Sequence, residues 1–168
     1  FLVPGMLALA EIPLESLRQY PTGLYATGLV AADLDGDGDI DIALSNRGTN
    51  DITIRFNNGF GFFPDRIDVP TGGGPRYVDG ADFDGDGDFD LCTPDYNADT
   101  ATVLRNDGEG DFTITHQFSL SKTVFLWTDD LDLDGNHDMI VLQWDRDAET
   151  PSQSPALMTP FYGRGDGD

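Results

Sequence analysis

The sequence predicts an all-β fold made of three antiparallel repeats of about 49 residues, each carrying one aspartate-rich loop. Three observations predict it. Aspartates cluster in three segments whose first members, Asp33, Asp82 and Asp130, lie 49 and 48 residues apart. Short runs of alternating apolar and polar residues follow the clusters, as half-buried strands require. Gly, Asn and Pro break these runs, so no long segment keeps a helical period.

Taken in order, residues 1–19 form an apolar arm and lead-in, with one possible helical turn at residues 14–19 that Pro13 limits. Ala8-Leu9-Ala10 before Glu11 resembles the end of a secretory signal, while an apolar arm needs a surface to lie on; both readings point to an exported protein. Three repeats follow at about 20–63, 64–112 and 113–168. Tyr20-Pro-Thr-Gly23 recurs as Val69-Pro-Thr-Gly72, and residues 53–63 recur as 102–112, both at an offset of 49. Residues 162–166 match 107–111 at an offset of 55, the surplus lying in a Pro/Ser/Thr-rich insertion within 150–160. Residues 40–44, 52–56 and 113–116 read as strands, and Asn57-Asn-Gly59 and Asn106-Asp-Gly108 as hairpin turns, because Asn and Gly tolerate positive φ. Units of this length with about four short strands are propeller-blade-like. A blade has two apolar faces and needs neighbours, and three blades cannot close a ring. The expected architecture is therefore a partial or intermolecularly completed β-propeller.

Charge says what such a chain avoids. Thirty-one acidic against nine basic residues give −22, and Glu occurs only at 11, 15, 109 and 149. Phosphate backbones and anionic lipid would repel this surface, so no nucleic acid is expected as partner. No apolar run is long enough for a membrane span, and 39% hydrophobic content is enough for a packed core. The single cysteine, Cys92, allows no disulfide framework and reads as a small buried residue.

Numbered from its first Asp, each loop has acidic residues at positions 1, 3, 5 and 9 and glycine at position 6: Gly38, Gly87 and Gly135. Alternate side chains of a tightly wound loop can converge, and the glycine allows the sharp turn. Carboxylates this dense repel one another unless a cation offsets them, and an all-oxygen set suits Ca2+ at three sites. Position 7 (Asp39, Asp88, Asn136) would contribute its main-chain carbonyl, which explains why Asn is accepted there. Helix-loop-helix calcium sites need Glu at position 12; here Leu44, Thr93 and Val141 stand there inside β-like runs.

The D-x-D-x-D-G-x-x-D loops, the apolar strand after each and the later N-x-G-x-G-x-F-like hairpin resemble FG-GAP/VCBS repeats, over roughly residues 20–168. Those repeats form calcium-binding β-propellers in integrin α subunits and many secreted bacterial proteins. The resemblance implies as metal ligands Asp33, Asp35, Asp37, Asp39 and Asp41; Asp82, Asp84, Asp86, Asp88 and Asp90; and Asp130, Asp132, Asp134, Asn136 and Asp138. The third loop departs from the other two, with Leu133 in place of Gly36 and Gly85 and His137 in place of Ile40 and Phe89.

No enzyme is expected. His116 and His137 are the only histidines and read as structural, no nucleophile elbow or phosphate loop occurs, and calcium accounts for the paired carboxylates. Trp127, Trp144, Tyr25, Tyr77 and Tyr96 could stack on sugar or protein, although the two tryptophans read first as packing residues. Arg164-Gly-Asp166 spells an integrin-recognised tripeptide, but the repeat itself explains all of it except the Arg. The expectation is a secreted or cell-surface, calcium-stabilised β-repeat protein acting in adhesion or self-assembly, through contacts with its own copies, another extracellular protein or a glycan. Its alternative is a carbohydrate- or protein-binding module of a larger secreted protein or enzyme.

Overall fold

The computed structural model describes residues 18–144 and 156–165. Within them lie eleven strands and no helix. Strands β1 (Ala26–Ala32), β2 (Asp41–Asn46), β3 (Asp51–Phe56) and β4 (Asp65–Pro70) form the first sheet. The second consists of β5 (Asp79–Ala81), β6 (Asp90–Asp95), β7 (Thr100–Asn106) and β8 (Phe112–Ser119), and the third of β9 (Thr123–Asp129), β10 (Asp138–Gln143) and β11 (Leu157–Phe161). Every pairing is antiparallel between strands adjacent in sequence, so each sheet is a meander. The fold is all-β, and its sheets are those of partial propeller-like blades.

Two apolar layers join the three sheets. Leu34, Ile52, Ile54, Val78, Leu91 and Leu104 are fully buried between the first and second sheets. Cys92, Ala101, Leu126, Met139 and Val141 fill the space between the second and third. Leu91 and Cys92 belong to opposite layers because successive side chains of a strand point to opposite faces. The middle sheet is thus covered on both sides, and all six residues of β6 are buried. Burial pushes the Cys92 thiol well above its ordinary pKa, as expected of an inert packing residue.

The outer sheets differ. Leu29 on the first and Ile40 in its loop, and Trp127, Leu133, Leu142, Trp144 and Met158 on or beside the third, are exposed, whereas the middle sheet exposes only Ile114 among its described large apolar residues. Trp127 and Trp144, expected to pack between blades, are 52% and 44% exposed. The reason is positional: no described sheet covers the far side of the third one. Tyr96 is buried beneath the Arg76 guanidinium, 3.5 Å from its ring, and Tyr77 packs at a tilt against Phe125 with ring centroids 4.5 Å apart, so neither offers a free platform. Tyr25 remains exposed.

Periodicity fixes the length of a unit and not its phase. The sheets begin at Ala26, Asp79 and Thr123, so a division at 63/64 separates β4 from the strands it pairs with. Of the expected insertion at 150–160, residues 157–160 belong to β11, and 150–155 lie outside the described residues. The apolar arm at 1–14 and Asp166 of the Arg-Gly-Asp tripeptide also lie outside them.

Candidate metal loops

Each acidic loop joins the first and second strands of its own sheet: residues 33–41 connect β1 to β2, 82–90 connect β5 to β6, and 130–138 connect β9 to β10. The aspartates wind the loop through their own hydrogen bonds. Asp33 accepts the N–H groups of Gly36 and Gly38, at 2.9 and 3.0 Å, and Asp82 those of Gly85 and Gly87, at 2.7 and 3.0 Å. Asp130 accepts from Asp134 and Gly135. Positions 3 and 5 each accept the N–H two residues ahead, as in Asp35 with Asp37 and Asp37 with Asp39. Gly38, Gly87 and Gly135 have φ of 91°, 98° and 93° with open space beside them, so backbone conformation alone demands glycine at position 6.

This winding brings carboxylates together. Asp33, Asp35 and Asp37 each offer an oxygen within 4.8 Å of the others, as do Asp82, Asp84 and Asp86, and Asp130, Asp132 and Asp138. Calcium–oxygen bonds run about 2.3–2.6 Å, so oxygens on opposite sides of one ion stand about 5 Å apart. The donor sets are all carboxylate, which fits a hard divalent cation and not a thiophilic one. Burial, with the charge of Asp41 next, raises the Asp35 carboxyl pKa, so crowding already opposes its ionisation.

The other implied ligands are placed differently. At position 7, the side chains of Asp39, Asp88 and Asn136 turn toward the glycines of the turn after the third strand: a Cβ on Gly59 would sit 2.8 Å from Asp39 Oδ2, and Gly108 and Gly165 stand in the same relation to Asp88 and Asn136. Asp134 at position 5 of the third loop lies outside its converging group and accepts the Asn136 N–H at 2.8 Å.

Position 9 is the fixed point of the site. Asp41, Asp90 and Asp138 are buried, and each splits its two oxygens between the same two backbone donors. One is the N–H at position 2: Leu34, Phe83 and Leu131, at 2.9, 3.0 and 2.8 Å. The other is the N–H of Asn57, Asn106 or Gly163, at or just past the end of the third strand, at 2.7, 2.8 and 2.8 Å. Each of these aspartates thus ties its loop to its own hairpin. Burial pushes the Asp90 carboxyl up to about 6, against the two N–H donors that favour its charge. Asp41 is raised for the same reason.

Loops also pack across sheets. Asn106 Nδ2 donates to Leu34 O at 3.0 Å. A Cβ on Gly36 would stand 2.8 Å from Gly108 O, and one on Gly85 3.1 Å from Gly165 O. Glycine at position 4 therefore makes room for the turn of the next sheet. Leu133, at that position in the third loop, is 86% exposed with φ of 63°. Sequence reasoning missed these partners, although Asn57 and Asn106, 49 apart, carried a signal for them.

Residues 33–93 match the family model described as FG-GAP-like repeat. Over that stretch the chain is similar to an FG-GAP-like repeat. The matched segment runs from the first loop through the second and into β6, so the FG-GAP-like unit counts from loop to loop and not from sheet to sheet. The third loop repeats the position-9 tie beyond the match. No curated protein matches the chain. No described helix is long and apolar enough to cross a membrane.

Proposed function

We propose that this is a calcium-stabilised β-repeat protein of the extracellular space or cell surface, binding one Ca2+ in each of its three loops and serving adhesion or self-assembly and not catalysis. The observation that supports it best is the recurrence, in the same place in three sheets, of carboxylates that converge to within 4.8 Å. Three such groups near neutral pH need a counter-charge, and oxygen-only donors select calcium over softer metals.

The ion's role is structural. At one hundred times its dissociation constant, each ion adds about 2.7 kcal/mol, so three add roughly 8 kcal/mol, comparable to a whole domain's net stability of roughly 5–15 kcal/mol. Excess EDTA is expected to lower the melting temperature substantially, and calcium to restore it. An unchanged melting curve would sink the structural-calcium reading.

The assembly half of the proposal is supported by the apolar residues open on both outer sheets, while the middle sheet has nearly none. A blade stacked on either end would cover them as the middle sheet covers its neighbours. The proposed cover is another copy of the chain, with the 1–14 segment contributing. Deleting residues 1–14 is expected to reduce particle size in light scattering; an unchanged size counts against that contribution.

A further inference from the structure

Between the second and third sheets, beside the second loop, lies a cavity of about 450 Å3. That volume is within the range of small-molecule sites, roughly 300–1,000 Å3. Phe83, Phe118 and Phe161 give it apolar walls. Arg105, Arg164 and both of the chain's histidines, His116 and His137, also line it. In a chain of net charge −22 with nine Lys and Arg residues, a lining whose two arginines balance its two aspartates stands apart from the background. Of the two acids present, Asp90 has both oxygens taken by backbone N–H groups. The other, Asp84, belongs to the converging group of the second loop.

Arg105 joins the cavity to that loop. Its Nε contacts Asp84 Oδ2 at 2.5 Å and its Nη2 contacts Asp86 Oδ2 at 2.8 Å. The fold does not require a guanidinium here. Arg105 immediately precedes the hairpin residue whose N–H bonds the position-9 Asp, and in the first and third sheets that place is held by Phe56 and Tyr162. Arg105 and a divalent cation are thus drawn to the same two carboxylates.

We propose that this cavity is a binding site for a small carboxylate carried on a ring, with Arg105 as the residue that recognises the carboxylate and couples it to calcium in the second loop. Ligand and ion then bind cooperatively. Calcium on Asp84 and Asp86 frees the guanidinium, whose planar fork matches a carboxylate, and a carboxylate on Arg105 removes its claim on the loop. The coupling is reciprocal and of the order of 5- to 150-fold in each affinity. It rests on the calcium reading above, but recognition of the carboxylate does not.

The two histidines make the test local, since both residues line the cavity. At fixed pH, their NMR resonances are followed in the full chain during titration with benzoate and with glucuronate, each against its neutral counterpart, benzamide or glucose. The expected result is a saturable shift with at least one of the two acids and little with the neutral compounds, at least fivefold tighter in calcium than in EDTA. The acid that binds more tightly identifies the ring as aromatic or sugar. Arg105→Met abolishes the effect, and Arg105→Lys, which keeps the charge but loses the fork, weakens it. By calorimetry, Arg105→Met also tightens one of the calcium sites, and Asp84→Ala removes that site. Equal response to acid and neutral compound, no response to either acid in saturating calcium, or unchanged binding in Arg105→Met overturns the site. Equal affinity in calcium and EDTA overturns the coupling. Absence of any calcium heat overturns the calcium reading separately.

Discussion

The first and second sheets, 49 residues apart, agree at one end and invert at the other. At the loop end, Asp41 and Asp90 accept from the same two backbone donors. At the far end, Asn46 Nδ2 donates to Thr53 Oγ1 at 2.8 Å, which donates to Asp68 Oδ1 at 2.7 Å. In the second sheet, Gln117 Nε2 donates to Thr102 Oγ1 at 3.1 Å, which donates to Asp95 Oδ2 at 2.5 Å. Amide and acid have exchanged ends. A threonine hydroxyl both donates and accepts, so a chain built through it runs in either direction. Position 9 has no such freedom, because two N–H donors on two oxygens require a carboxylate. Identity between repeats therefore marks places where the backbone dictates the partner, and divergence marks places where side chains satisfy one another.

Charge follows the inversion. Asp68 is held below its usual pKa: burial alone would raise it, but hydrogen bonds from Arg66 and Thr53 outweigh that cost. Asp95 is raised, burial prevailing over its bonds from Thr102 and Gly72, and its Oδ1 is buried without a partner.

The comparison can be broken most forcefully at position 9. Asp41→Ala or Asp90→Ala, unfolded in urea with EDTA present to remove any ion, is expected to lose about 2–4 kcal/mol, since two buried N–H groups are orphaned. Asp39→Ala and Asp88→Ala should stay within about 0.5 kcal/mol under the same conditions. Equal losses at positions 7 and 9 would end the distinction. Next in size, Gly36→Leu should cost about 1–3 kcal/mol, because its Cβ meets the Gly108 carbonyl and its φ is 74°.

A smaller effect tests the inverted end. Asp95 has a folded pKa above its unfolded value, so the native state holds that proton more tightly, and the group's contribution to stability grows as pH falls through the folded pKa. Asp95→Asn should flatten that part of the stability–pH profile and stabilise the protein at neutral pH; a profile identical to the parent would contradict the inversion. A gain is expected for Leu133→Gly, at most about 1–2 kcal/mol from relieving a left-handed leucine, read as a higher melting temperature.

Much of this was legible in the sequence because it was written in repeated residues. The aspartate spacing located the three loops, the position-6 glycines foretold their positive φ, and alternation located the strands. Phase was not legible, since a period looks the same from any starting point. The position-9 tie depends on a hairpin N–H sixteen residues downstream of Asp41, and a backbone donor leaves no mark on composition. The exposure of Trp127 and Trp144 depends on which sheets have neighbours, and strand patterning is silent on that. Arg105 was hidden for the opposite reason: it is where the second repeat departs from the first, and alignment of repeats draws the eye to agreement.

The central claim is that the three loops are calcium sites. Calcium titrated calorimetrically into EDTA-stripped, dialysed protein tests it directly. The account predicts three ions per chain, falling to two in each of Asp35→Ala, Asp84→Ala and Asp132→Ala. Heats no larger than dilution, or a stoichiometry indifferent to these substitutions, would contradict it.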